Sequence, residues 1–142
     1  MKKLFVIITI LVTTCTASSY AQSKTPSSVL NSFESSFTNS ENAIWSTVKG
    51  LYRVDFILDD QKASAFFNTD GNLIATSRNV TLLQIPMSLK SDLKKNFYDY
   101  EVSSIFEVDR EDGIIYYATI KNQKNELMLE STSSGDWVAN KR

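Results

Sequence analysis

The residues that could carry chemistry in this chain are carboxylates, lysines and tyrosines, because the sequence contains no histidine. Histidine is the usual general base, the partner of nucleophilic serine or cysteine, and the commonest zinc ligand. The single cysteine, Cys15, lies in the N-terminal part of the chain. We therefore expect a protein that is not an enzyme and that has no metal site and no cofactor.

Three acidic segments are candidates for carboxylate chemistry or cation binding. Asp59-Asp60 stands between two predicted strands, where both carboxylates would be solvated, so a polar turn is favoured over an acid–base pair. Asn68 to Gly71 is similar to the start of a calcium loop, but no bidentate Glu follows, and Asp-Gly favours a hairpin turn. Asp109 to Asp112 is a denser cluster, for which a solvated loop is favoured over a weak cation site.

A hydrolase that works through two carboxylates is the alternative to a binding protein. Glycosidases place two such acids roughly 5–10 Å apart in a cleft. Asp55 and Glu107 are the candidates, since each lies within a predicted strand rather than at a hairpin tip. A chain of 142 residues leaves little room for a deep cleft, so binding is favoured over hydrolysis.

Aromatic side chains are the main candidates for binding, since tyrosine and tryptophan combine apolar area with a polar tip. Tyr116 and Tyr117 are neighbours on one predicted strand, so one of them must face away from its helix. We predict that Tyr52, Tyr100, Tyr116 and Trp137 form a binding surface on the open face of the sheet. An equally weighted alternative is that such rings fill the junction between two halves of the domain.

The elements that would position these residues come from two halves of the sequence that match each other. Gly71 to Ala75 matches Gly135 to Ala139, and upstream Pro26, Val29, Phe33 and Phe37 fall on Pro86, Leu89, Leu93 and Phe97. Each half begins with an amphipathic helix and continues with four short strands of alternating hydrophobicity. The predicted strands span residues 43–48, 51–58, 62–68, 73–80, 102–108, 114–121, 126–130 and 136–138.

This pattern predicts an α+β fold built as a tandem repeat of a helix plus a four-stranded antiparallel meander (α-β4-α-β4). The repeats would span about residues 26–80 and 86–142, and the proline of each helix would lie in its first turn. The connection between the halves is short, so we expect one compact domain rather than two independent ones.

The N-terminus has the pattern of a secretory signal peptide. Met1-Lys2-Lys3 is a positive n-region, Leu4 to Val12 is an apolar segment too short to span a bilayer, and Ser19-Tyr20-Ala21 fits a cleavage site. We therefore predict a signal peptide at residues 1–21 and a single mature domain at residues 22–142, periplasmic or secreted, without a membrane span. A membrane anchor and lipidation at Cys15 are the less favoured alternatives.

The charge balance argues against two classes of partner. The chain has 15 basic and 16 acidic residues; without Lys2 and Lys3 the counts are 13 and 16, which leaves a net charge of −3. Because the two signs are interspersed and no basic stripe is present, we expect neither nucleic-acid binding nor attraction to anionic lipid.

The order of these features resembles the PepSY-like, beta-lactamase-inhibitor-like (BLIP-like) family of exported bacterial proteins. The resemblance covers essentially the whole mature chain and is carried by turn and core motifs: the helix ending in Phe37, the Trp45 strand, Tyr52-x-Val54-x-Phe56, Asn68-x-Asp70-Gly71-x-Leu73 and Ile85-Pro86. It implies the fold, but no contact residue of the inhibitor carries over, since no motif matches one.

We therefore expect an exported, non-enzymatic binding module of the bacterial cell envelope. Its partner would be a protein or peptide held on the open sheet face, and inhibition of an envelope enzyme is one version of this role. The carboxylate-based hydrolase, a glycan-binding protein and a scaffold protein remain as alternatives.

Overall fold

The computed structural model describes residues 24–132 and 134–139 and confirms the predicted α+β class. The predicted signal peptide, with Cys15, lies outside the described residues. Strands β2 and β4 have the predicted bounds, and the other strands differ from the predicted bounds by one or two residues at one or both ends. The elements are α1 (Ser27–Ser36), β1 (Glu41–Val48), β2 (Leu51–Leu58), β3 (Gln61–Phe67), β4 (Leu73–Val80), α2 (Met87–Asn96), β5 (Glu101–Arg110), β6 (Gly113–Lys121), β7 (Glu126–Ser131) and β8 (Trp137–Ala139).

The strands form one continuous eight-stranded sheet in which every strand pairs antiparallel with its neighbour in sequence. The pairing of β4 with β5, which includes Ser77 opposite Val108, joins the two halves of the chain. Asp59 and Asp60 both have positive φ, 49° and 63°, as the two central residues of a tight hairpin turn require. This confirms the prediction that Asp59-Asp60 forms a turn.

Each helix begins directly after a proline. Pro26 and Pro86 occupy the N-cap positions, with ψ of 148° and 147°, one position before the first turn in which they were predicted. The difference arises because an N-cap residue has extended backbone angles, which proline adopts readily. Val29 and Leu89 then stand at corresponding buried positions, one under each helix.

The two helices cover the same face of the sheet. The pairing register places Val54 of β2 on the same face as Ala65 of β3 and Thr76 of β4. Continued across β5, the register reaches Ile114 of β6, which points to the same face as the buried Ala118. Two core clusters lie on this face, one centred on Phe33, Phe56 and Phe67 under α1, the other on Leu89, Ile105, Ile120, Leu129 and Trp137 under α2. The opposite face of the sheet carries no helix within the described residues, and we call it the open face.

In each half of the sheet, the glycine of one hairpin packs closely against the helix of that half. Gly71 and Gly135 have φ of +90° and +87°, and a Cβ on them would lie 2.8 Å from the Ser28 carbonyl oxygen and 2.6 Å from the Ser88 hydroxyl, respectively. The Asn68 side-chain oxygen accepts hydrogen bonds from the backbone N–H groups of residues 70 and 72, at 3.0 and 2.9 Å. That oxygen therefore closes the hairpin, which agrees with the turn interpretation of this segment.

Candidate functional site

The open face carries an apolar patch in its second half. Cross-strand pairing places Phe106 opposite Tyr117 and Val108 opposite Ile115, and these four side chains, which we call the open-face patch, stand on strands β5 and β6. Phe106 is 43% exposed. The side chains on the solvated face of an antiparallel sheet are usually polar. A group of aromatic and aliphatic side chains on the open face departs from this pattern. Such a group is typical of a surface that contacts another molecule.

The open-face patch continues toward the sheet edge through Tyr117. Glu130 pairs with Tyr117 on the next strand, and Val138 pairs with Glu130 on the last. Burial raises the pKa of the Tyr117 phenol, and the nearby Glu130 carboxylate raises it further. The shift therefore favours the protonated hydroxyl of Tyr117, which can act as a hydrogen-bond donor.

The first half of the open face holds a shallow depression of about 370 Å³. Its polar centre is Asp55, which accepts hydrogen bonds from the side chains of Arg53 and Ser64. The Arg53 guanidinium also lies 5.9 Å from the centre of the Phe66 ring, within the range of a cation–π contact. Phe106 lines the same depression, so the polar centre and the open-face patch form one continuous surface.

A second polar group lies on the helix-covered face. The Arg78 Nε donates to Glu107 Oε1 at 2.8 Å, and the Tyr116 hydroxyl donates to Glu107 Oε2 at 3.1 Å. Burial is the main cause that raises the pKa of Tyr116, and the hydrogen bond to Glu107 adds to it. The hydrogen bond to Glu107 is likewise the main cause that raises the pKa of Arg78.

The structure does not bring together the two carboxylates that the alternative of a hydrolase requires. Asp55 stands on the open face, whereas Glu107 stands on the face that the helices cover. The sheet itself separates them, so they do not converge on one substrate. The physical reason is strand parity, because alternate residues point to opposite faces and the register sets these two out of phase.

The four aromatic residues predicted to bind on the open face lie on the helix-covered side. Trp137 is 6% exposed, and its Nε1 donates to the Leu89 carbonyl oxygen at 3.0 Å. Tyr52 packs against the α1 cluster, while Tyr100 and Tyr116 pack against the α2 cluster. Their predicted position on the open face is therefore wrong: Tyr52, Tyr116 and Trp137 share the strand parity of the core positions, and Tyr100 lies just before β5.

The sequence predicted that Tyr116 and Tyr117 face opposite sides, and the structure places Tyr117 rather than Tyr116 on the open face. Sequence reasoning missed the other three members of the open-face patch, Phe106, Val108 and Ile115. The available signal was their parity, opposite to that of the core residues Ile105 and Ala118, across two predicted strands. Only the pairing register shows that the four side chains lie next to one another, and the sequence alone did not predict this register.

Comparison with known proteins agrees with this architecture at the level of the fold. A proposed periplasmic protein of Bacteroides eggerthii superposes with a TM-score of 0.74 at 18% identity, covering 80% of this chain and 85% of that one. A DUF2874 family protein of Bacteroides uniformis gives 0.73 at 13% identity over 80% and 86% of the two chains. A BLIP-like protein of Bacteroides fragilis gives 0.69 at 12% identity over 81% and 84%.

The resemblance to BLIP-like proteins is thereby confirmed as a shared fold. No protein-family model and no curated protein matches the chain. Within residues 24–132 and 134–139, no helix is long and apolar enough to cross a membrane. In the same described part of the chain, no cluster of three or more metal-ligating side chains occurs.

Proposed function

We propose that this protein is an exported, non-enzymatic binding module that holds a protein or peptide on the open face of its sheet. The observation that carries the proposal is the open-face patch. Phe106, Val108, Ile115 and Tyr117 stand together where a solvated sheet face would ordinarily carry polar residues. The face is broad and shallow, which suits a macromolecular partner better than a small substrate.

The composition of the open face favours specific recognition over non-specific hydrophobic association. Apolar and aromatic side chains occupy its centre, and Arg53, Asp55 and Glu130 lie beside them. Protein interfaces have this arrangement of an apolar core within a polar rim, in which a few aromatic anchors contribute most of the binding energy. Inhibition of an envelope enzyme is one version of such binding, and its support is the shared fold with a BLIP-like protein.

Export to the bacterial envelope is part of the same proposal. It is supported by the signal-like sequence of residues 1–21 and by the fold shared with a proposed periplasmic protein. A mature domain of residues 22–142 would be a tandem repeat, in which Pro26 and Pro86 begin the helices and Gly71 and Gly135 contact them in corresponding ways. The non-enzymatic role is supported by the absence of histidine from the sequence and by the separation of Asp55 from Glu107.

The test is affinity capture with matched surface variants. Residues 22–142 would be immobilised and incubated with envelope extract from the organism of origin, alongside Phe106→Ala and Tyr117→Ala variants. Tyr98→Ala is the control, because Tyr98 is 83% exposed but lies beyond α2, away from the open face. We expect one enriched protein, with its affinity reduced roughly thirtyfold or more in the open-face variants, as loss of a hot-spot anchor of about 2 kcal/mol implies.

The result that contradicts the proposal is equally defined. Capture that is retained in both open-face variants, or lost in the Tyr98→Ala control, would place the binding surface elsewhere. Failure to enrich any protein would exclude a strong macromolecular partner on this face and favour the glycan-binding or scaffold alternative.

A further inference from the structure

An apolar groove lies on the helix-covered side of the protein, away from the open face. It lies between α2, the connection at residues 81–86 and strands β5 and β6, and has a volume of about 820 Å³. Its floor reaches two core residues, Leu93 and the fully buried Ile120, and its walls include Phe97 and Val102. We call it the α2 groove. Because its floor is part of the core, it is a cleft rather than a flat surface.

Three large side chains at the rim of the α2 groove stand almost entirely in solvent. Leu83 is 87% exposed, Met87 is 75% exposed and Tyr98 is 83% exposed. Isolated exposed apolar residues are ordinary, but several around one apolar cleft form a patch of the kind that marks a binding site. Each of them leaves apolar area in contact with water that a ligand could remove.

The first half of the chain shows that the fold does not require these residues. Helices α1 and α2 follow corresponding prolines and are each ten residues long. With the two prolines aligned, Met87 corresponds to Ser27, Lys94 to Glu34, and Tyr98 to Thr38. The same architecture is thus built once with polar residues at these positions and once with large apolar and basic ones. The chemistry of the α2 groove is therefore a property added to the fold.

The α2 groove has a charge that selects among apolar ligands. Its lining among the described residues includes Lys90 and Lys94, one turn apart on α2, and no carboxylate. Lys90 donates to the Leu83 carbonyl oxygen at 3.0 Å and so holds the connection beside the groove. Lys94 is exposed in the wall of the groove. On a chain whose predicted mature form is net negative, this local pair of cations complements an anionic head group.

We propose that the α2 groove binds a single-chain anionic amphiphile, of the class of long-chain carboxylates. Ligand pockets of roughly 300–1,000 Å³ are lined mainly by apolar side chains with a few polar groups that fix orientation, and the α2 groove fits this description. The acyl chain lies along Phe97 and Val102 toward Ile120, and the carboxylate lies at the mouth beside Lys94. An apolar lining that reaches core residues and, among the described residues, includes two lysines but no carboxylate fits one flexible chain with an anionic head.

The probe for this proposal is dodecanoate, titrated into the protein by calorimetry below its critical micelle concentration. We expect one molecule per chain, and about fifteenfold weaker binding of decanoate, because each buried methylene contributes roughly fourfold in affinity. Ser91→Trp fills the α2 groove from the exposed side of α2 and should abolish binding without disturbing the core. Lys94→Glu should weaken binding roughly fivefold or more, as expected for replacing an exposed attractive charge by a repulsive one.

Two controls distinguish binding in the α2 groove from binding elsewhere on the protein and from binding through the alkyl chain alone. Lys62→Glu makes the same charge change on the open face and should leave dodecanoate binding unchanged. Dodecyltrimethylammonium, which has the same chain and a cationic head, should bind more weakly than dodecanoate. Undetectable binding of dodecanoate, binding that Ser91→Trp leaves intact, or equal binding of the two head groups would overturn the proposal. Binding to phosphatidylglycerol vesicles without binding of free dodecanoate would also overturn it, in favour of a membrane surface.

Discussion

Replacing Trp137 with alanine should destabilise the fold rather than act only on a binding surface. Trp137 is 6% exposed within the α2 cluster, and its Nε1 donates to the Leu89 carbonyl oxygen at 3.0 Å. Truncation of a buried tryptophan costs about 3–5 kcal/mol through lost burial and the cavity left behind. The Leu89 carbonyl would also lose its side-chain partner. A domain of this size has a total stability of about 5–15 kcal/mol, so the expected loss is a large share of it.

The assay is thermal and urea unfolding followed by far-ultraviolet circular dichroism, which does not depend on the fluorescence of Trp137. We expect the Tm of Trp137→Ala to fall by about 10–20 °C, the range that such a loss gives in a domain of this length. Trp137→Phe keeps most of the apolar volume but removes the indole donor, so its loss should be smaller, about 1–3 kcal/mol.

Phe106→Ala is the matched control, because it truncates an aromatic side chain of similar size that is 43% exposed on the open face. We expect it to cost about 1 kcal/mol or less, since much of its area already faces water. An unchanged Tm for Trp137→Ala, or a larger loss for Phe106→Ala than for Trp137→Ala, would refute the assignment of these two residues to opposite sides of the sheet.

Two further predictions concern the hairpins and the tyrosines. In urea unfolding, Gly71→Ala should lower the free energy of unfolding by about 3 kcal/mol or more, and Gly50→Ala by about 1–2 kcal/mol. Both glycines have positive φ, but only Gly71 lies against another backbone segment. Equal losses in the two variants would contradict the contact between Gly71 and α1. The raised pKa values of Tyr116 and Tyr117 favour their neutral forms in the fold, so stability should fall as the pH rises above 10. Absorbance at 295 nm should show that Tyr116 and Tyr117 ionise at a higher pH than exposed tyrosines do. Tyr117→Phe should remove part of the loss of stability at high pH.

Most of the fold could be predicted from the sequence because its signals are local. Prolines before two amphipathic stretches, alternating strands and turn residues such as Asp59-Asp60 each act over a few residues. The continuous sheet could not be predicted, because the decisive contact is the long-range pairing of β4 with β5. The two halves would have matched equally well as separate four-stranded sheets.

The candidate site was harder to predict because matching the two halves selects for the wrong face. Positions that carry similar residues in both halves, such as Tyr52 and Tyr116, face the helices, since each half must fill the same space there. Their neighbours on the open face differ in kind: Arg53 stands in the first half where Tyr117 stands in the second. No packing constraint makes these positions alike, so each is free to serve a ligand. In a fold built this way, the positions where the halves differ are therefore the better guide to function.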